Sequence, residues 1–155
     1  MPDESNPGME AAHRFFAADC FNKAWELIDK TDRTAEDNER MLLLSMASAW
    51  HWTQRPDCTD QNMSAAYWQI AHIYGLLQQA DNARRFAELA LAKAKAKGVS
   101  PFFLAYAYEA LARAEMVAGD RDKMRAYLDK ARRAAKRLTD AEAQKMLLAD
   151  LEKIG

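Results

Sequence analysis

Between Ser64 and Ala131 one order of bulky and small residues occurs twice, and no other feature of the chain narrows its fold so far. The first copy runs Tyr67, Ile70, Ala71, Tyr74, Ala83, Ala87, Ala90; the second runs Tyr108, Leu111, Ala112, Glu115, Met124, Leu128, Ala131. Bulky residues return at steps of three and four, the spacing of one helix face, and alanine stands where a second helix must cross closely. Each copy therefore predicts two helices joined by a tight turn.

The rest of the chain agrees with helix. Half of its 155 residues are hydrophobic, and it holds only five glycines and four prolines, which disfavours a sheet with many turns. One domain burying roughly 70% of its unfolded surface is the size class to expect. Residues 1–8, polar and with two prolines, predict a disordered leader ahead of a single helical domain over 9–155.

About seven helices follow from stripes and breakers. Helix 1, about Met9 to Asp29, carries Phe15, Ala18, Phe21, Trp25 and Ile28. Thr34 and Asp37 form a capping box for helix 2, which runs to about Gln54. Its Leu42, Leu43, Leu44, Met46, Trp50 and Trp52 cover more than one face, so it is expected to be sandwiched between neighbours. Thr59 or Asp60 starts helix 3, which ends near Gln78. Asp81 is expected to cap helix 4, and Gly98 to stop it. Ser100 and Pro101 open helix 5; Gly119 closes it and Asp120 opens helix 6, which runs to about Leu138. Thr139 with Glu142 is expected to cap helix 7, whose Leu147, Leu151 and Ile154 form one apolar edge.

A large residue followed by Leu and Gly or Ala, then Tyr, then small residues in the next helix resembles the tetratricopeptide repeat signature. The resemblance implies an antiparallel helix-hairpin stack, an α-solenoid of about seven helices, with a degenerate repeat over 9–54, repeats over 61–98 and 101–138, and a capping helix over 140–154. The copies stand 41 residues apart, against a family period of about 34, and the surplus falls after Ala90, in helix 4 and its loop. Gln78 occupies the turn position that Gly119 fills in the second copy.

In that family the first helix of each repeat lines a concave groove. By resemblance, Trp68, Gln69 and His72 of helix 3 and Tyr106, Glu109 and Arg113 of helix 5 face into it, with Phe15, Phe16 and Asp19 joining from the weak first repeat. Such a groove suits a peptide or a partner helix, with aromatic anchors and charges that fix orientation. The competing reading has Trp68 and Phe15 simply filling the core of a short stack.

Two further readings concern surfaces. An aromatic edge near Trp50, Trp52, Trp68 and Tyr74 is a candidate homodimer contact. The basic helix 121–138 is a candidate nucleic-acid surface, although only Tyr127 offers a ring for stacking. Net charge is −1, with −6 in residues 1–78 and +5 in residues 79–155, an asymmetry that either orients a charged partner or reflects solvated helix faces.

Catalytic and cofactor chemistry finds little footing. His13, His51 and His72 lack the spacing of three to five that one helix face needs for a metal. No phosphate-cradling glycine loop occurs, and Cys20, Asp19 and His72 make a nucleophilic set only by assumption. The expectation is a non-enzymatic binding protein with no cofactor. Two isolated cysteines, Cys20 and Cys58, and no apolar run near the roughly 18 residues of a membrane span predict a cytoplasmic location.

Overall fold

Residues 7–155 are described by a computed structural model, and they are all-α. The helices are α1 (Pro7–Ile28), α2 (Ala35–Thr53), α3 (Asp60–Leu76), α4 (Ala80–Ala94), α5 (Pro101–Ala118), α6 (Arg121–Ala135) and α7 (Ala141–Glu152). The leader expected over residues 1–8 lies mostly outside the described residues; its last two, Pro7 and Gly8, belong to α1 instead. Proline at the first helical position loses no hydrogen bond there, because that amide has no partner within the helix.

Short polar signals set most boundaries. Thr34 and Asp37 close a reciprocal capping box on α2, and Thr59 and Asn62 close another on α3. Ser100 caps α5 ahead of Pro101, and Asp120 accepts from the Lys123 amide at the start of α6. Three expectations need correction. Asp81 is not the cap of α4: it lies inside the helix and pairs with Arg84, and Gln79 holds the cap position without a side-chain bond. Asp140 rather than Thr139 caps α7, accepting from the Glu142 and Ala143 amides. The helix α4 ends at Ala94, and Gly98 (φ 84°) serves the following loop, so the surplus residues after Ala90 lengthen the connection.

The turns inside the two copies are the same turn. In the second, the Asp120 amide donates to the Glu115 carbonyl and the Gly119 amide to that of Met116. In the first, Gln79 donates to Tyr74 and Gln78 to Gly75, the same pair of bonds 41 residues earlier. This closure needs a left-handed residue at the helix end. Gly119 supplies it at φ 81°, and Gln78 supplies it at φ 61°, the one positive φ outside glycine among the described residues.

Packing follows the alanines. Ala71, Ala90, Ala112 and Ala131 are all buried, and α1 with α2, α3 with α4, and α5 with α6 make the closest helix pairs. Small side chains bring backbones near enough for a hydroxyl to bond across: Ser64 Oγ donates to the Ala90 carbonyl at 3.0 Å, and Ser48 Oγ to that of Ala17 at 2.7 Å. Ala105 and Ala131, 41 residues after Ser64 and Ala90, are likewise buried. The rings of Tyr67 and Phe86 lie 6.3 Å apart, as do those of their counterparts Tyr108 and Tyr127.

Between these hairpins α4 packs on α5, and Arg84 joins the two by a forked contact to the buried Glu115 at 2.7 and 3.2 Å. Leu147, Leu151 and Ile154 complete the core around Met124 and Leu128. Helix α2 lies between α1 and α3, as expected, with Met41 packed against Ile28 and Ile73 and Ala49 against Ala66 and Ile70. Its outer side is uncovered: Leu43 and Trp50 are 63% and 55% exposed.

A side chain in the left-handed region costs about 1 kcal/mol relative to glycine. Gln78→Gly is therefore expected to raise unfolding free energy by about 0.5 kcal/mol, after loss of the weak bond from its side-chain Nε2 to the Gly75 carbonyl and the added freedom of the unfolded chain. Gly119→Ala meets nothing within 4 Å and should lose about 1 kcal/mol by backbone strain alone. Urea titrations of both variants read these opposite signs.

Candidate functional site

Helices α1 and α3 hardly approach each other through their backbones, and side chains bridge the gap. The Trp25 ring stacks on Trp68 at 5.6 Å, Trp68 stacks on His72 at 5.1 Å, and the edge of Tyr106 meets Trp68 at 5.5 Å. The result is a cleft of about 280 Å³ between α1, α3, α5 and α7, its walls formed chiefly by Phe21, Trp25, Trp68, Phe102, Tyr106 and Met146.

Trp68 is fixed by the residue behind it. Its indole Nε1 donates to Glu109 Oε2 at 2.8 Å, and Arg113 Nη2 and Nε donate to Glu109 Oε1 at 2.8 and 3.1 Å. The Glu109 carboxyl is buried, which pushes its pKa upward against the lowering pull of Arg113 and of the Trp68 bond. Arg113 can lie flat over α3 because Gly75 stands beneath it. A Cβ at Gly75 would sit 3.1 Å from Arg113 Cδ.

Polar groups at the mouth are engaged with each other. Tyr106 Oη donates to Asp150 Oδ2 at 2.8 Å, and Lys153 reaches Asp150 Oδ1 at 3.1 Å. Burial and the Asp150 bond push the Tyr106 phenol far above its usual value, so it is a donor across the physiological range. His72 is pushed down to about 3, first by burial and then by the Arg113 charge. On the same helix, Gln69 Oε1 and His72 Nδ1 are buried with no hydrogen-bond partner among the described residues.

Of the residues expected to line a groove, only Trp68 and Tyr106 line this cleft; His72, Glu109 and Arg113 do not, and instead contact Trp68 directly or through Glu109. Gln69 does not line the cleft: it is fully buried, and its Nε2 donates to the Phe21 carbonyl at 3.0 Å. Phe15, Phe16 and Asp19 do not join the cleft either. Asp19 pairs with Lys23 on its own helix, and Phe15 and Phe16 lie with His13, Trp50 and His51 in a separate surface group. In their place α1 contributes Phe21 and Trp25. Both belong to the apolar stripe of helix 1; aligning that helix on the weak first repeat pointed to the wrong members. Met146 and Asp150 carry the i, i+4 spacing of one helix face, but α7 lies outside both repeats.

The other candidate surfaces also change. Trp52 lies under the Arg55 guanidinium at 3.9 Å and Tyr74 stacks on Phe86 at 5.7 Å, so Trp50, Trp52, Trp68 and Tyr74 form no common edge. On α6, Tyr127 is half-buried beside Tyr108 and Lys130. His13 and His51 do meet, Nδ1 to Nδ1 at 2.9 Å, although no group of three or more ligating side chains occurs among the described residues. Among those residues, no helix is long and apolar enough to cross a membrane.

Removing a buried charge from between its donors costs about 3 kcal/mol or more. Glu109→Ala is expected to lose about that much stability, and Glu109→Gln, which keeps an acceptor for Trp68, distinctly less; guanidinium denaturation measures both. The histidine predicts a pH slope. Unfolded, His72 binds a proton near 6.5; folded, it resists until about 3, so the unfolded state holds more protons between these values. Stability it contributes above pH 6.5 is lost on acidification at about 1.4 kcal/mol per pH unit. His72→Phe should show a shallower decline than the parent chain between pH 6.5 and 4, followed by thermal melts at each pH.

Set beside known proteins, the chain matches no family model, no curated sequence and no solved structure, so the reading of the cleft rests on its own geometry.

Proposed function

We propose that this chain is a non-enzymatic binding module, a short tetratricopeptide-like stack whose cleft takes an apolar or aromatic side chain from a peptide or helix of a partner protein. The observation that carries this reading is the pre-set floor of the cleft: Trp68, stacked on Trp25 and anchored to the buried Glu109. A ring already held in place loses little freedom when a ligand arrives, and aromatic residues in enclosed, water-excluding sites dominate binding energy.

Size favours a side chain over a free small molecule. A volume of about 280 Å³ falls just below the roughly 300–1,000 Å³ of small-molecule pockets. One or two large side chains fill it. Asp150 and the Tyr106 hydroxyl at the mouth are suited to orienting the main chain or a basic neighbour of the anchoring residue. The free thiols of Cys20 and Cys58 suit a reducing compartment, consistent with work in the cytoplasm. No cofactor is needed for this role.

A displayed library of random peptides, selected on the chain, tests the proposal. Winning sequences should share a large apolar residue and lose at least tenfold in affinity to Phe102→Ala and to Met146→Glu, two substitutions at the rim of the cleft. They should be unaffected by Leu89→Glu on α4, which is partly exposed and outside the cleft. Binding indifferent to both rim substitutions, or no enrichment at all, overturns the reading.

A further inference from the structure

Away from the cleft, five rings make an unbroken surface path at one end of the first hairpin. Phe15 meets Phe16 at 5.2 Å, Phe16 stacks on His51 at 5.4 Å, His51 meets Trp50 at 5.0 Å, and Trp50 meets His13 at 5.5 Å. The two histidines share a hydrogen bond of 2.9 Å. Leu43 is exposed on the same outer side of α2, seven residues and about two turns before Trp50. Phe15 is 60% exposed and Phe16 42%. A single exposed ring is ordinary, whereas a contiguous group of this kind marks an interaction surface.

We propose that this face pairs with the same face of a second copy of the chain, forming a two-fold symmetric dimer. Charge favours that occupant. The rim beside the rings is a run of alternating charges: Arg14 contacts Glu10 and Asp57 at 3.0 Å each, and Arg55 contacts Asp57 at 2.8 Å. Two acids and two bases compensate each other, so a two-fold axis brings no unanswered like charges together across this rim. The acidic excess of the first hairpin, at Glu26, Asp29, Asp32, Glu36 and Glu39, lies toward the α1–α2 turn. From Glu39 to Trp50 along α2 is about 16 Å, beyond the roughly 8–10 Å over which exposed charges act in physiological salt.

Area sets the expected strength. Aromatic side chains offer about 150–250 Å² each, so the three phenyl and indole rings leave roughly 300 Å² uncovered. Leu43, Met9 and the Arg14 stem widen the patch, which stays below the roughly 800 Å² per partner of a standard interface. A patch of this size suits a weak, concentration-dependent dimer rather than a permanent one.

Sedimentation equilibrium of the full chain from about 1 μM to about 200 μM tests this. The weight-average mass should climb from one chain toward two and stop there. Trp50→Ser and Phe15→Ser replace exposed rings, so each should keep the parent's circular dichroism and melting curve while weakening the dimer at least tenfold. Met146→Glu at the cleft should leave the dimer unchanged, which separates this surface from the peptide-binding proposal. A monomer throughout, a dimer indifferent to both serine substitutions, or a mass growing past two chains overturns the inference.

Discussion

A carboxylate removed from water must be met by donors, and Glu109 is met by the Trp68 indole from α3 and the Arg113 guanidinium one turn along α5. That arrangement does two things at once. It joins two helices of successive hairpins by hydrogen bonds that an apolar contact would not orient, and it fixes which way the Trp68 ring faces. Trp25, His72 and Tyr106 then take their places against a ring that is already aimed. The absence of a side chain at Gly75 is part of the same device, since it lets Arg113 lie close above α3.

The two buried carboxylates of α5 show how position changes the use of one residue type. Glu109 faces the cleft side and answers to α3, whereas Glu115 is gripped by Arg84 from α4. Each ties α5 to a different helix of the preceding hairpin, and such charged bonds are directional where alanine packing alone would permit sliding. The repeat carries neither: Trp68 stands at the place of Glu109 in the first copy, and Tyr74 at the place of Glu115. The first copy has rings where the second has acids, which is why the hairpins look alike in backbone and differ in what they hold.

Helices α1 and α2 depart from that economy. Their inner faces are as closely packed as the others, with Ala17 and Ser48 in direct hydrogen-bonding contact, yet Leu43, Trp50, Phe15 and Phe16 lie toward solvent. A binary apolar pattern states only that a residue prefers burial. Helix 2 is apolar on several faces; α1 and α3 cover two of them, and the outer side that carries Leu43 and Trp50 has no helix against it.

Local chemistry written in the chain was enough to define the helices, most of their caps and the paired turns, because a capping box or a left-handed closure involves residues only a few positions apart. It also defined the small faces at Ala71, Ala90, Ala112 and Ala131, since helix periodicity is itself local. The cleft was legible only in part. Trp68 and Tyr106 line it from two helices related by a constant offset, so one periodicity carried them together, while His72, Glu109 and Arg113, expected beside them, support Trp68 without lining the cleft. Phe21 and Trp25 come from a helix without that offset, and Met146 and Asp150 from one outside the repeats. Their meeting depends on how far α1 and α7 swing toward α3 and α5, and that distance is set by loop length and side-chain volume summed over the whole core, quantities no short window of sequence contains.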